Sequence, residues 1–231
     1  MSLFRRYLRG LRDHLRDALY ALKGEWLLAP DTRRRLSGAR GVSLNVGAGA
    51  LSLPGFVNLD RFPASPEVLY WDFRKPLPLA DAAVRHVHCE HFIEHLEHHD
   101  ALALLAEFRR VLEPGGTLRL ICPDAGRYIR AYCAGDAAFF RALERLGGAA
   151  KPFEHPIEVI NQMFRMAGAH RFAWDYEALE AALAGVGFVG IRRSSIGEPD
   201  AGGEVDGRDD WREIESLYVV ARAPSSGAAA A

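Results

Sequence analysis

From residue 42 onward, short apolar runs alternate with stretches whose apolar residues recur every three or four positions, the pattern of strands interleaved with helices. The runs predict strands at Val42–Val46, Phe56–Leu59, Val68–Trp71, Val84–His88, Thr117–Ile121, Phe188–Arg193 and Leu217–Ala221. One helix is predicted to open at Asp100 as N-cap, to carry Leu102, Leu105, Phe108 and Leu112, and to stop at Pro114-Gly115-Gly116. Another opens at Asp175, carries Leu179 and Leu183, and ends at Gly185. Between them, residues 125–174 show short helical patterns without strand character, and the stretch is too long for a plain loop. This predicts a helical insert after the fifth strand.

Ahead of the alternating region, Leu3, Phe4, Tyr7, Leu8, Leu11, Leu15, Ala18, Leu19 and Leu22 fall on one helical face, with Arg5, Arg6, Arg9, Arg12 and Arg16 between them. Such a helix packs on its domain or lies against a membrane surface, so peripheral membrane contact through residues 1–30 is an open expectation. Pro30 and the polar run Asp31–Arg35 are expected to separate this helix from the first strand. The chain thus divides into a basic helical extension (1–40), an α/β domain (41–223) and a small, polar, disordered tail (224–231).

Charge and cysteines narrow the classes. Residues 1–40 carry ten Lys/Arg against four Asp/Glu, yet the whole chain has a net charge of -1, which gives no general basis for nucleic-acid binding. Cys89, Cys122 and Cys133 form no CxxC pair, and their odd number does not suit a disulfide framework. No stretch reaches the roughly 18 apolar residues of a spanning helix. The expected location is the cytoplasm.

Glycines directly after a first strand let the backbone approach a ligand beyond the carboxyl ends of a parallel sheet. Gly47 and Gly49, around Ala48, hold that place. The second strand leads into Asp60, placed to accept the hydroxyls of a ribose, and the third into Asp72. A Gly-x-Gly alone is common; followed by acids closing two successive strands it points to a nucleoside site. Position 52 is Ser where GxGxxG needs glycine, and Asp60 follows Gly47 too soon for a nicotinamide enzyme. GxxxxGK[ST] is absent, which removes P-loop nucleotidases.

Over residues 42–222 the sequence resembles class I S-adenosylmethionine-dependent methyltransferases, particularly those associated with polysaccharide and glycoconjugate biosynthesis. The resemblance rests on LNVGAG, LPGFVNLD, WDFRKPLPLADAAVRHVHCEHFIEHL, EFRRVLEPGGTLRLICPD and a closing GF…SLYVVAR. It implies a Rossmann-like, seven-stranded, mostly parallel sheet of order 3-2-1-4-5-7-6 with helices on both faces, and S-adenosylmethionine as cofactor. By the same resemblance Gly47, Ala48 and Gly49 flank the methionine part and Asp60 holds the ribose. Asp72 and Phe73 meet the adenine, while Cys89 and Glu90 lie beside the methionine end. Asn45 stands where the wider class has an acid, and only nine residues, Gly47–Gly55, join the first two strands, so the first helix must shrink to a turn. The polysaccharide-associated group shares that short linker.

Six of the nine histidines fall within residues 86–99. His91-Phe92-Ile93-Glu94-His95 matches HxxEH, in which two histidines one helical turn apart bind zinc and the glutamate activates water. No third ligand is evident in the sequence, so a zinc hydrolase ranks below methyl transfer and no metal is expected. For a hydroxyl acceptor, His91 and His95 are the first candidates for a base at the sheet's carboxyl edge. Asp124, after the fifth strand, could orient a base or form a turn. His170 and Asn161, in NQMFRMAGAHRF, resemble an acceptor-pocket stretch of the same subgroup, and Arg127, Tyr128, Arg130, Tyr132, Arg165 and Arg171 suit a polar acceptor or a solvated face. The expected acceptor is a sugar or glycoconjugate hydroxyl, with a small molecule second; a domain that binds the cofactor without catalysing transfer is the alternative from another class.

Overall fold

The computed structural model describes residues 22–146, 153–199, 205–207 and 210–225. Among them, seven strands make one sheet: β1 (Val42–Val46), β2 (Phe56–Asp60), β3 (Val68–Tyr70), β4 (Val84–Glu90), β5 (Leu112–Pro123), β6 (Val189–Arg193) and β7 (Ser216–Arg222). Their order is β3-β2-β1-β4-β5-β7-β6. β1 to β5 are parallel, and β7 runs antiparallel to both β5 and β6. This is the Rossmann-like α/β sheet the sequence leads one to expect. Leu44, Val46, Leu59, Val87, Leu118, Leu120 and Val219 are buried, because the elements packed on the sheet leave the central strands no wet face.

The run Asp31–Arg35 is not a separator. It lies in α1 (Ala29–Leu36), which continues from a π-helical turn at Gly24–Leu28 and carries Pro30 in its first turn, where a missing N–H costs nothing. This segment packs on the β3 edge: Thr32 Oγ1 donates to the Tyr70 carbonyl at 2.9 Å, and Arg33 lies over the Trp71 ring at 5.0 Å. Most of the amphipathic face predicted ahead of it, residues 1–21, and all but two residues of the tail lie outside the described residues.

Helix α2 spans His98–Val111, and its boundaries correct two expectations. Its N-cap is Glu97, in extended conformation, while Asp100 sits in the first turn, where the helix dipole favours a carboxylate; both positions carry the same sequence signature. Pro114-Gly115-Gly116 does not end the helix. The chain turns into β5 at Leu112, and the three residues absorb a register shift: Leu112 stands opposite Val84 and Thr117 opposite His86. Gly115 has φ +81°, and a Cβ on Gly116 would fall 2.9 Å from the Glu113 carbonyl.

The insert comprises α3 (Ala125–Cys133), α4 (Ala137–Leu146) and α5 (Pro156–Arg165), followed by a 3-10 turn, Met166–Gly168. Tyr128, Phe139, Phe140, Leu143, Val159 and Met163 give it an apolar cluster separate from the main core. α6 (Tyr176–Gly185) opens at Asp175, whose carboxylate accepts the Ala178 N–H at 2.9 Å. α7 (Asp210–Glu215) leads into β7. A buried ion pair fixes its approach: Arg119, fully buried on β5, grips the Asp206 carboxylate with two nitrogens and donates to Ser194 Oγ and the Ser195 carbonyl.

Candidate active site

The carboxyl end of β1 is joined to the amino end of β2 without a helix, as the nine-residue linker requires. Two buried asparagines do the helix's work. Asn45 Nδ2 donates to Asn58 Oδ1 at 2.9 Å and to the Leu51 carbonyl at 3.1 Å, while Asn58 Oδ1 also accepts the Leu53 N–H at 2.8 Å. The position that carries an acid in the wider class is therefore spent here on holding a short crossover.

Gly47 (φ +72°) and Gly49 (φ +54°) turn the chain away from β1. The Gly47 and Ala48 amides both donate to the Leu59 carbonyl at 3.0 Å, and the Gly49 amide donates to Asp60 Oδ2 at 2.8 Å. Asp60 Oδ1 accepts the Phe62 amide at 2.6 Å, so the carboxylate is held by two amides and keeps further lone pairs for a ligand. A Cβ on Gly47 would lie 2.4 Å from the Phe92 ring; one on Gly49 would meet nothing within 4 Å. Gly47 is demanded by packing, and Gly49 opens onto free space.

That space is a cavity of about 380 Å³, within the size range of ligand sites. It brings together Gly47, Gly49, Asp60, Asp72, Phe73, His91 and His95. Arg61, Phe62, Arg74, Phe92 and Leu96, which no sequence motif singles out, complete the lining. Burial would raise the Asp72 pKa, but Arg74, 2.5 Å from its Oδ2, outweighs burial and holds it below the usual range. Phe73 meets Phe92 edge to face at 4.8 Å. An acid with free lone pairs at the end of β2, apolar rings and a glycine facing open space fit S-adenosylmethionine.

Five expected site residues do not line this cavity: His170, which lines a second one described below, and four that line neither. Ala48 is buried and its amide is committed to Leu59. The Cys89 side chain faces the core, where burial raises its thiol pKa well above the ordinary value. Glu90, one residue on, projects to the opposite face, as strand alternation demands. It binds Arg212 and the Gly207 amide and lies 3.2 Å from His88 Nε2. Burial opposes ionisation of Glu90, yet these partners prevail and hold its pKa at about 2. Asp124 caps α3, accepting the Arg127 amide at 2.9 Å, with Arg193 at 3.5 Å; among the described residues its carboxylate makes no hydrogen bond to a histidine.

The histidines divide between two cavities. His91, at φ +47°, is a strained non-glycine position held by its N–H, which donates to the Ile121 carbonyl at 2.8 Å. Its Nε2 pairs with Ser216 Oγ at 2.9 Å, and its ring meets Trp211 at 5.2 Å. The helix that HxxEH needs is not formed: only Ile93–His95 make a 3-10 turn, and His91 lies outside it. His95 meets His170 edge to face at 4.9 Å. Across these ring pairs lies a second cavity of about 260 Å³, lined by His170 and Trp211 together with Tyr128, Phe153, Gln162 and Glu215. Tyr128 donates to Glu215, whose pKa is raised because burial outweighs that hydrogen bond. Asn161 does not line it; its Nδ2 donates to the Ile157 carbonyl within α5. Glu215 and Trp211 carry no sequence signal beyond lying just before the last strand.

Residues 57–120 match the family model described as methyltransferase domain. No match was found among curated protein sequences. Similar solved structures include a SAM-dependent methyltransferase from Archaeoglobus fulgidus (TM-score 0.48, 15% identity, 86% of this chain and 94% of that one). Another, from Thermotoga maritima, has TM-score 0.48 and 14% identity over 95% and 98% of the two chains. Phosphoethanolamine N-methyltransferase 2 of Haemonchus contortus, in complex with S-adenosyl-L-methionine, has TM-score 0.45 and 13% identity over 87% and 53%. The match to a methyltransferase domain model falls on the central part of a sheet whose strand order is the one expected for that fold. The matched segment runs from β2 to the middle of β5, and it contains Asp60, Asp72 and the histidine-rich turn. Among the described residues no helix is long and apolar enough to cross a membrane.

Proposed function

We propose that the protein methylates a hydroxyl of a sugar or glycoconjugate. One observation carries the reading: the cavity with Asp60 and the cavity with Glu215 share a wall made of the pairs His91–Trp211 and His95–His170. A methyl donor in one and an acceptor in the other would meet there, and alignment of the two is the main contribution a protein makes to such a displacement. S-adenosylmethionine, when bound, supplies an electrophilic methyl group on a sulfonium. Asp60 would take the ribose hydroxyls and Phe62 and Phe73 the base. On the acceptor side Trp211 and Phe153 offer faces for the C–H side of a sugar ring, while Gln162 and Tyr128 reach hydroxyls. Glu215, its pKa raised by burial, is the group we assign to take the acceptor's proton. A small-molecule hydroxyl is the alternative acceptor, and binding without transfer the alternative outcome.

A screen with methyl-labelled S-adenosylmethionine over sugars, sugar nucleotides and lipid-linked glycans tests this. The expected result is an O-methyl product whose formation slows by about 10²-fold in Glu215→Gln; cofactor binding without transfer to any acceptor, or methylation of nitrogen, speaks against it. Peripheral membrane contact belongs to the same proposal. Leu22, Trp26 and Leu27 are 57%, 77% and 65% exposed at the start of the described chain, in a region rich in arginine.

A further inference from the structure

We propose that Glu94, His95 and His170 form a binding site for a divalent transition metal of the zinc class, set in the wall between the two cavities. One donor atom from each of the three lies within 4.8 Å of the others. Ligands at about 2.1 Å around a tetrahedral ion stand about 3.4 Å apart, a spacing reached by small rotations of the two half-buried imidazoles.

Three features make this more than proximity. Glu94 is 2% exposed, and neither of its carboxylate oxygens accepts a hydrogen bond; His91 Nδ1, 3.4 Å from Oε1, does not meet hydrogen-bond geometry. A buried carboxylate in that condition lacks a cation or a donor. Both imidazoles, next, are oriented from behind. His95 Nδ1 lies 3.2 Å from the Ala169 carbonyl and His170 Nδ1 2.5 Å from the Met163 carbonyl. A carbonyl only accepts, so each Nδ1 carries the proton and each Nε2 keeps its lone pair, the outer-shell arrangement of metal-binding histidines. Finally, the two stretches are clamped backbone to backbone: the Glu94 carbonyl accepts the Arg171 amide at 2.8 Å and the Phe172 amide at 3.3 Å.

Two imidazoles and a carboxylate suit zinc-like ions over magnesium or calcium, which prefer all-oxygen sets. The arrangement is not that of HxxEH. Glu94 is a ligand here and not a free base, and His170 takes the place that the motif gives to His91. Three protein ligands leave a coordination position for an oxygen, which His170 places beside the acceptor cavity. That last role rests on the methyl-transfer reading, whereas the site itself does not.

The test uses full-length, untagged Cys133→Ser protein, which removes an exposed thiol, stripped of metal by chelation. It is titrated with Zn²⁺ by calorimetry and with Co²⁺ by visible absorption. Expected are one saturable equivalent, a cobalt d–d band, and at least tenfold weaker binding in Glu94→Gln and His170→Gln. Circular dichroism and S-adenosylhomocysteine binding, measured on the same samples, report folding and the cofactor site separately. If Glu94→Gln does not fold, His170→Gln, on a partly exposed turn, carries the comparison. No saturable Zn²⁺ binding by the parent protein, or unchanged affinity in the variants, overturns the proposal whatever the cofactor result.

Discussion

The cavity that holds Asp60 and the cavity that holds Glu215 are built by opposite means. The first is made of strand ends and backbone: glycines, amides and two acids within Gly47–Asp72, held by hydrogen bonds between near neighbours in the chain. The second is made of side chains brought from far apart, Tyr128 from the insert, His170 from a turn after it, and Trp211 and Glu215 from α7. A site of the first kind is fixed once the sheet forms. One of the second kind depends on remote ties, and the strongest of them are buried ion pairs.

The comparison predicts separable failures. The largest effect is expected from Arg119→Met, which leaves Asp206 buried and unpaired: about 3–5 kcal/mol of stability lost in urea unfolding, with most of it restored in Arg119→Met/Asp206→Leu. Its affinity for S-adenosylhomocysteine should stay within about twofold of wild type after correction for the unfolded fraction. A collapse of that affinity in folded protein would merge the two regions.

Glu90 comes next. Its folded pKa of about 2 lies below the ordinary value of 4.5, so its contribution is present above pH 4.5 and is lost as pH falls through the window toward 2. The contribution is on the order of 3 kcal/mol. Glu90→Gln should lower stability at pH 7 and flatten the decline between pH 4.5 and 2; an unchanged acid limb in unfolding curves contradicts this. Because Glu90 ties down Arg212 and Gly207, the loss should fall on acceptor turnover and not on cofactor affinity.

Gly47→Ala reverses the pattern. A side chain at φ +72° costs about 1–2 kcal/mol before the clash with Phe92 is counted, so S-adenosylhomocysteine affinity should drop by at least tenfold while the insert stays folded. Smallest of all is removal of residues 1–30, which should leave cofactor affinity unchanged and lower co-sedimentation with anionic vesicles. Equal sedimentation would contradict membrane contact through that segment.

The same contrast decides what a sequence can reveal. Strands covered on both faces read as continuous apolar runs, and the glycines and acids that close them stand at fixed places, so the sheet and Gly47, Asp60 and Asp72 are legible. Glu90 and Cys89 are misplaced by resemblance alone because adjacent strand residues face opposite ways, and family likeness does not say which face looks into the cleft. Glu215, Trp211 and the Arg119–Asp206 pair are not legible, since their roles come from contacts between segments that no local spacing records. His170 stands out only by resemblance. Its meeting with Glu94 and His95 is a product of the fold, as are the two carbonyls that orient the imidazoles.

The central claim is that the cleft between Gly47 and Asp60 holds the nucleoside end of S-adenosylmethionine. Calorimetric titration of wild-type and Asp60→Ala protein with S-adenosylhomocysteine measures it directly. One equivalent bound by the wild type, with affinity lowered by at least tenfold in the variant, is the predicted result; no binding by the wild type, or identical curves for the two proteins, would contradict it.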